Sequence, residues 1–337
     1  MRRDRNTHPA HQQSNNKRSR SGSVQLMKAV RIHNYGGPEV LQYEDAPSPR
    51  PAPGEVLIRV HAAGVNPADW KIREGHLKQF VQHNLPFILG WDVSGMIEEV
   101  GLGVSQFQKG DEVFSKPDTS RDGAYAEYIV VRESEVALKP KSLHHVYAAA
   151  VPLAGLTAWQ ALFDIAQVNR GQRVLIHGGS GGVGHFAVQF AKWKGAYVIA
   201  TASGKNQELL REIGVDQPID YTSQRFEQAA TDVDVVLDTI GGETQERSWD
   251  VLREGGLLAS VVQPPDAEKA RQFGVRGAFV SSQPNGKELA EIGALIDSGN
   301  LKVVLDRILP LSEARRAHEL SQGGHARGKI VLRVKED

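Results

Sequence analysis

The 337-residue chain carries 40 Lys and Arg against 40 Asp and Glu, is 40% apolar and contains no cysteine. Disulfides and thiolate zinc sites are thereby excluded, and a balanced charge gives no reason to expect nucleic acid or an anionic membrane as partner. The length suits about two domains with real cores, and no apolar run approaches the roughly eighteen residues of a bilayer span.

Residues 1–26 set Arg2, Arg3, Arg5, Lys17, Arg18 and Arg20 among Asn, Gln, Ser and His. Such a segment cannot bury a core. It reads as a disordered basic tail with a second start at Met27, not as a secretory signal, because no apolar stretch follows the basic residues. An organelle address is the lesser reading, and a cytoplasmic location is expected.

From Met27 to about Ala150, short β-branched or alternating runs lie between glycines and prolines. They are Ala29 to Ile32, Glu55 to His61, Val93 to Val100, Asp111 to Phe114 and Tyr125 to Val131. This pattern predicts a mainly antiparallel sheet or partly open barrel. Pro47, Pro49, Pro51 and Pro53 form an extended connector, too rich in proline for helix. A helix begins near Ala154.

Beyond Gly171, strands and helices alternate: Val174 to Ile176, Tyr197 to Ala200, Val233 to Leu237, Leu257 to Val262 and Gly277 to Val280, with helices between them. That rhythm predicts a parallel sheet covered on both faces. A helix over 286–298, another from an N-cap at Ser312 to about Leu320, and a strand from Lys329 to Val334 complete the chain.

The first parallel strand runs straight into His177-Gly178-Gly179-Ser180-Gly181-Gly182-Val183-Gly184. Read as G-x-G-x-x-G, Gly179 makes the tight turn, Gly181 lets bare backbone approach phosphate oxygens, and Gly184 lets helix and strand pack closely. Unpaired N–H groups and the positive dipole end of the following helix stabilise an anion there. Ser180, Gly182 and Val183 line the same turn. With Phe186, Ala187, Phe190 and Ala191 at helical spacing and a second strand after Gly195, the unit is a dinucleotide-binding β-α-β.

The same residues also satisfy G-x-S-x-G, so a serine hydrolase using Ser180, with Asp238 and His318 as partners by chain order, is a remote alternative. It leaves Gly184 unexplained. After the second strand comes Thr201-Ala202-Ser203-Gly204-Lys205-Asn206, with no acid before Glu208. A ribose 2′-hydroxyl prefers an acid here, whereas a 2′-phosphate prefers donors such as Ser203 and Lys205, so NADPH is expected.

From Met27 onward the chain resembles the medium-chain dehydrogenase/reductase superfamily, and within it the zinc-independent quinone oxidoreductase branch that includes zeta-crystallin. The resemblance rests on Tyr35-Gly36-Gly37-Pro38-Glu39-Val40-Leu41, Gly64-Val65-Asn66-Pro67-Ala68-Asp69-Trp70-Lys71, Gly110-Asp111-Glu112-Val113 and Leu153-Ala154-Gly155-Leu156-Thr157-Ala158-Trp159. It continues through the glycine turn, Asp238-Thr239-Ile240-Gly241-Gly242 and His325-Ala326-Arg327-Gly328-Lys329-Ile330-Val331. It implies an α/β protein: a Rossmann, doubly wound parallel sheet (152–285) inserted into a mainly antiparallel, barrel-like GroES-like catalytic domain (27–151 and 286–337).

Metal-using relatives place a cysteine soon after the glycine where this chain has Gly64-Val65-Asn66, and a histidine within a Gly-His-Glu where it has Gly90-Trp91-Asp92, so no metal is expected. His61, His76 and His83 lie near in sequence but make no clear ligand set. Without zinc, conjugated acceptors become the better substrates, because the charge left by hydride transfer spreads onto an oxygen that ordinary donors can hold.

The resemblance places Asn66 and Thr157 at the nicotinamide ribose and ring, Tyr221 beside Ser203 and Lys205 at the 2′-phosphate, and Val262 and Lys329 elsewhere on the cofactor. It places Trp70, Lys71, Trp91 and Tyr125 at the substrate, with Asn66, Lys71 and Tyr125 as catalytic candidates and Trp70 and Trp91 as substrate-binding ones. The expected activity is metal-free, NADPH-dependent hydride transfer to a quinone or an α,β-unsaturated carbonyl. An NADP-dependent alcohol or aldehyde oxidoreductase, or an NADPH-binding protein with little turnover, stays open. A homodimer is compatible with the family.

Overall fold

The computed structural model describes residues 25–335. The basic tail expected over 1–26 therefore lies almost wholly outside the described residues. Two larger sheets and one small one make up the fold. In the first, strand Glu55–Val65 pairs antiparallel with Val93–Val100, with Tyr128–Arg132 and, at its far end, with Lys329–Arg333. Strands Glu112–Ser115, Val136–Leu138 and Leu305–Pro310 extend this sheet to seven. Leu26–Ile32, Leu41–Pro47 and Phe87–Ile88 form the small sheet.

The second large sheet is six-stranded and parallel. Its spatial order is Gln217–Asp220, Tyr197–Ala202, Arg173–Ile176, Val233–Asp238, Leu252–Ser260 and Arg276–Phe279. Val174, Leu175 and Ile176 of its inner strand are wholly buried. Leu175 faces one core with Ile199, Val236 and Leu258, while Val174 and Ile176 face the other with Phe186 and Phe190. Burial on both faces is why these strands read as continuous apolar runs.

The strands expected from alternation recur within a few residues, but Leu41–Pro47, Phe87–Ile88, Val136–Leu138, Gln217–Asp220 and Leu305–Pro310 were not anticipated. All five lie at sheet edges; Leu41–Pro47, Gln217–Asp220 and Leu305–Pro310 are half exposed, where the apolar signal is weak, and the other two are too short to show alternation. The last long helix is Ala314–Gln322, led in by a short turn Leu311–Glu313, so its cap is Glu313 and not Ser312.

The proposed division of 27–151 with 286–337 against 152–285 runs through shared packing. Leu289, Ile292 and Ile296 of helix Gly286–Asp297 belong to the core that contains the parallel sheet, and Phe114 and Ala137 of the barrel join them. The helical run His145–Ile165 is long and apolar enough by composition to cross a membrane, yet 78% of its most apolar window is buried inside the fold. It is a core element here.

Candidate active site

The glycine turn links strand Arg173–Ile176 to helix Gly184–Trp193. Its left-handed residue is Gly178, at φ +67°, and not Gly179 as expected. Gly179 is needed for a different reason: a Cβ there would lie 2.8 Å from Ala200 Cβ on the neighbouring strand. At Gly184 a Cβ would collide with the Gly178 carbonyl oxygen, as the close-packing role requires. A Cβ at Gly181 would meet only the Gly178 carbonyl oxygen, at 3.2 Å, so its outer side is open backbone. These residues fit a pyrophosphate cradle.

The barrel is tied directly to this turn. Gly328 N–H donates to the Ser180 carbonyl oxygen at 2.8 Å, and the next residue, Lys329, lays its stem against Gly182. On helix Gly184–Trp193, the Gln189 carboxamide exchanges bonds with the Lys302 backbone at 2.7 and 3.0 Å, and His185 Nε2 accepts from Val304 N–H at 3.4 Å. Burial holds His185 near a pKa of about 4, so it stays neutral and can accept.

Lys329 is buried and spends its ammonium on three acceptors: the Val65 carbonyl oxygen at 3.2 Å, Asn66 Oδ1, and Asp92 Oδ2 at 2.9 Å. Asn66 Nδ2 donates to the same Asp92 oxygen at 2.7 Å, and Leu153 N–H donates to the other at 2.5 Å. Asn66 caps helix Pro67–Arg73 through its backbone, whose N–H donates to Asp69 Oδ2 at 2.8 Å. Its side chain is thereby free for the lysine and Asp92. Thr157, on the helix begun by Pro152, donates to the Leu153 carbonyl oxygen at 2.7 Å and meets Ser282 Oγ at 3.0 Å. The structure therefore gathers Asn66, Lys329 and the glycine turn into one place, with Asp92 as the carboxylate that joins them.

Tyr125 and Trp91 fall elsewhere. Tyr125 is fully buried; its hydroxyl donates to Asp69 Oδ2 at 2.7 Å, lies 3.3 Å from His318 Nε2, and is pushed far above the ordinary tyrosine range by burial and by Asp69. It is a packed phenol and not a catalytic one. Trp91 is equally buried, donates to the Arg121 carbonyl oxygen at 3.2 Å and packs near Phe87 and His83, so it offers no face to a substrate. Trp70 and Lys71 remain half-buried, with Lys71 Nζ 5.7 Å from the Trp70 ring centre and the Trp70 indole N–H unpartnered. Burial lowers the Lys71 pKa.

Among the residues expected to meet the adenosine, Asn206 bridges Ser180 Oγ at 3.1 Å and Ser203 Oγ at 3.3 Å. Lys205 and Tyr221 are exposed. Asp220, which sequence spacing did not bring into view, ends the adjacent strand and stands against Gly204 and Thr222. Parallel pairing of Ala202 with Asp220 puts it there, so the stretch is not free of acids as expected. Val262 N–H donates to Ser260 Oγ at 3.2 Å, beside Gly241.

The hydrolase alternative fails on geometry. Ser180 Oγ bonds to Asn206, Asp238 to Gln245 and Ser260, and His318 to Arg73 and Tyr125, which are three separate networks. The three histidines also stay apart from one another: His61 packs against His145 with the rings tilted, His76 faces Glu74, and His83 donates to the Thr119 carbonyl oxygen. Among the described residues no group of three or more acidic or histidine side chains is placed to hold a metal ion.

The model described as alcohol dehydrogenase GroES-like domain matches residues 52–141, and that described as zinc-binding dehydrogenase matches residues 213–332. The NAD(P)H oxidoreductase RTN4IP1, mitochondrial, of Danio rerio is 34% identical over 357 residues, covering 93% of this chain and 92% of its own. The solved quinone oxidoreductase of Coxiella burnetii superposes with a TM-score of 0.86 at 40% identity, over 92% of this chain and all of its own. The chain belongs to the quinone oxidoreductase branch of the medium-chain dehydrogenase/reductase superfamily.

As a member of that branch it is an oxidoreductase with a nicotinamide cofactor. A further relative is the NADPH-dependent alkenal/one oxidoreductase, chloroplastic, of Arabidopsis thaliana, 36% identical over 320 residues, 91% of this chain and 79% of that one. The relatives correct the expected cytoplasmic location, since their names are mitochondrial in one case and chloroplastic in the other, which points to an organelle.

Proposed function

We propose that this oxidoreductase passes hydride from NADPH to the conjugated carbon of an enone or to a quinone, without a metal. The observation that carries the reading is the join between the two sheets. Gly328 is hydrogen-bonded to the turn that fits the pyrophosphate, and Lys329 beside it holds Asn66 and Asp92 at the mouth of the barrel.

When bound, the reduced nicotinamide would supply the hydride. The protein's task is placement and the exclusion of water. Asn66, bonded to Asp92, and Thr157, bonded to the Leu153 carbonyl oxygen, are linked through the Leu153 N–H to Asp92 contact, and in this reading they hold the ring and ribose. Ser203, Lys205 and Tyr221 receive the 2′-phosphate. Asp220, whose Oδ1 is engaged by the Thr222 N–H and hydroxyl and whose carboxylate packs on Gly204, weakens this preference without reversing it.

The metal-free reading rests on donors, since in the two segments where metal-using relatives carry ligands Asn66 is engaged by Lys329 and Asp92 and Trp91 is closed into the core. The relatives named for quinones and for alkenals and enones support the substrate class. A homodimer is the assembly we expect, to be read by light scattering.

Loss of NADPH absorbance with a panel of quinones, enones, aldehydes and alcohols tests the activity. Turnover with the first two classes is expected. Activity confined to alcohols with added zinc would overturn the metal-free reading, and cofactor binding without oxidation by any acceptor would overturn the enzymatic one.

A further inference from the structure

Lys116 follows strand Glu112–Ser115 and is 3% exposed, yet its ammonium has no hydrogen bond or ion pair among the described residues. It lines a cavity of about 330 Å³ whose opposite wall is Ser281, Ser282, Gln283 and Pro284. That wall continues directly from the last parallel strand, Arg276–Phe279, at the carboxyl end where ligands of such sheets bind. Ser282 in turn touches Thr157. The cavity therefore adjoins the nicotinamide side of the site.

The stem of Lys116 is buried, but its ammonium opens onto the cavity, where an acceptor that enters can reach it. The carboxylates whose fields reach Lys116 are Asp92, Asp118 and Glu135. Each is already engaged: Asp92 by Lys329 and Asn66, and Asp118 and Glu135 by Arg132, the other cation lining the cavity. None supplies Lys116 with an acceptor within bonding distance.

We propose that Lys116 is a catalytic residue whose ammonium binds the substrate's carbonyl oxygen and gives it a proton as hydride arrives. This rests on the reading above. For an enone, the hydride pair becomes the new C–H bond at the β-carbon. The C=C pair moves to join the α- and carbonyl carbons, and the C=O π pair goes to oxygen. The proton passes from Lys116 to that oxygen, and its bonding pair stays on nitrogen. The enol then ketonises, taking a proton from water at the α-carbon and releasing the hydroxyl proton. Solvent reprotonates Lys116. The nicotinamide is oxidised and the substrate reduced by two electrons; a quinone takes the same hydride and proton to become a hydroquinone. Burial lowers the Lys116 pKa, against the fields of Asp92, Asp118 and Glu135, which favours proton release.

The test uses the full chain carrying Lys116→Met, loaded with NADPH. Enone kcat/KM is expected to fall about a hundredfold or more, with NADPH affinity unchanged. Its Tm should hold, because the change leaves no protein group without its hydrogen-bond partner. A second readout is 4-nitrophenol, a mimic of the oxyanion, bound with NADP⁺ and followed by its visible absorption. Wild type should lower the phenol's apparent pKa and Lys116→Met should not. Should the Met variant fail to fold, Lys116→Arg serves: it should keep nitrophenolate binding but lose turnover, since guanidinium does not release its proton.

Turnover by Lys116→Met within about threefold of wild type, or equal turnover by Lys116→Arg, would overturn the proposal. So would identical nitrophenol ionisation in wild type and the Met variant. A wild-type enzyme that reduces no enone or quinone would defeat the substrate reading instead, and the nitrophenol comparison would still decide whether Lys116 holds an anion.

Discussion

Lys329 Nζ lies 2.9 Å from Asp92 Oδ2, with both side chains closed off from solvent, so the last strand and the loop before Val93 are joined by a buried ion pair. Lys329→Met would strand the carboxylate among Asn66 and the Leu153 N–H. A loss of about 3–5 kcal/mol in urea unfolding is expected, with much of it recovered in the double variant Lys329→Met/Asp92→Asn. Equal losses for the single and double variants would show that the pair is not coupled.

The glycines of the turn should separate folding from binding. Gly184→Ala forces a Cβ onto the Gly178 carbonyl oxygen and should lower Tm sharply. Gly181→Ala meets only that oxygen at 3.2 Å, so the fold should survive while NADPH binding weakens by about tenfold or more. Thermal unfolding and fluorescence titration of both variants read the two effects.

Burial sets two linked groups against each other in their response to pH. Asp69 is raised from 3.8 to about 7, chiefly by burial, and its Oδ1 has no partner. The unfolded chain ionises first as pH rises, so the Asp69 contribution is complete below 3.8 and is lost on the way up to about 7. His318 is held down from 6.5 to about 3 by burial and by Arg73, so its contribution is complete above 6.5 and is lost as pH falls toward 3. Tm measured from acid to neutral pH should therefore rise more steeply with pH in Asp69→Asn than in wild type, and less steeply in His318→Gln. Unchanged slopes in both would contradict the assignment.

Cofactor choice should shift at the adenosine end. Lys205→Ala is expected to weaken NADPH more than NADH, because only the phosphorylated ribose needs a cation there. Asp220→Asn should favour NADPH further by removing the carboxylate beside Gly204. Calorimetry with both nucleotides checks each variant; an equal loss for the two in Lys205→Ala would place that lysine away from the phosphate.

Much of the molecule was legible in the chain because its signals are local. The strand leading into Gly178 to Gly184, the helical spacing after it and the alternation before Ala150 each depend on a few neighbouring residues. Edge strands such as Leu41–Pro47 escaped because they lack the double-sided burial that makes a strand conspicuous. Tyr125 and Trp91 were misplaced because an aromatic residue on a cleft-forming segment can face either way, and only packing shows that both turn inward.

What the linear order determined by itself was the glycine-rich turn between strand and helix, the two kinds of sheet and the lack of thiolate ligands, since glycine spacing, periodicity and composition need no distant partner. Tertiary structure alone decided the chemistry of the site. Lys329 meets Asn66 across 263 positions, and Thr157 meets Ser282 across 125. Lys116 is left without a partner by folding that pairs every nearby carboxylate with another group. A side chain's charge is written in the sequence, but whether that charge is satisfied depends on what the fold brings within bonding distance.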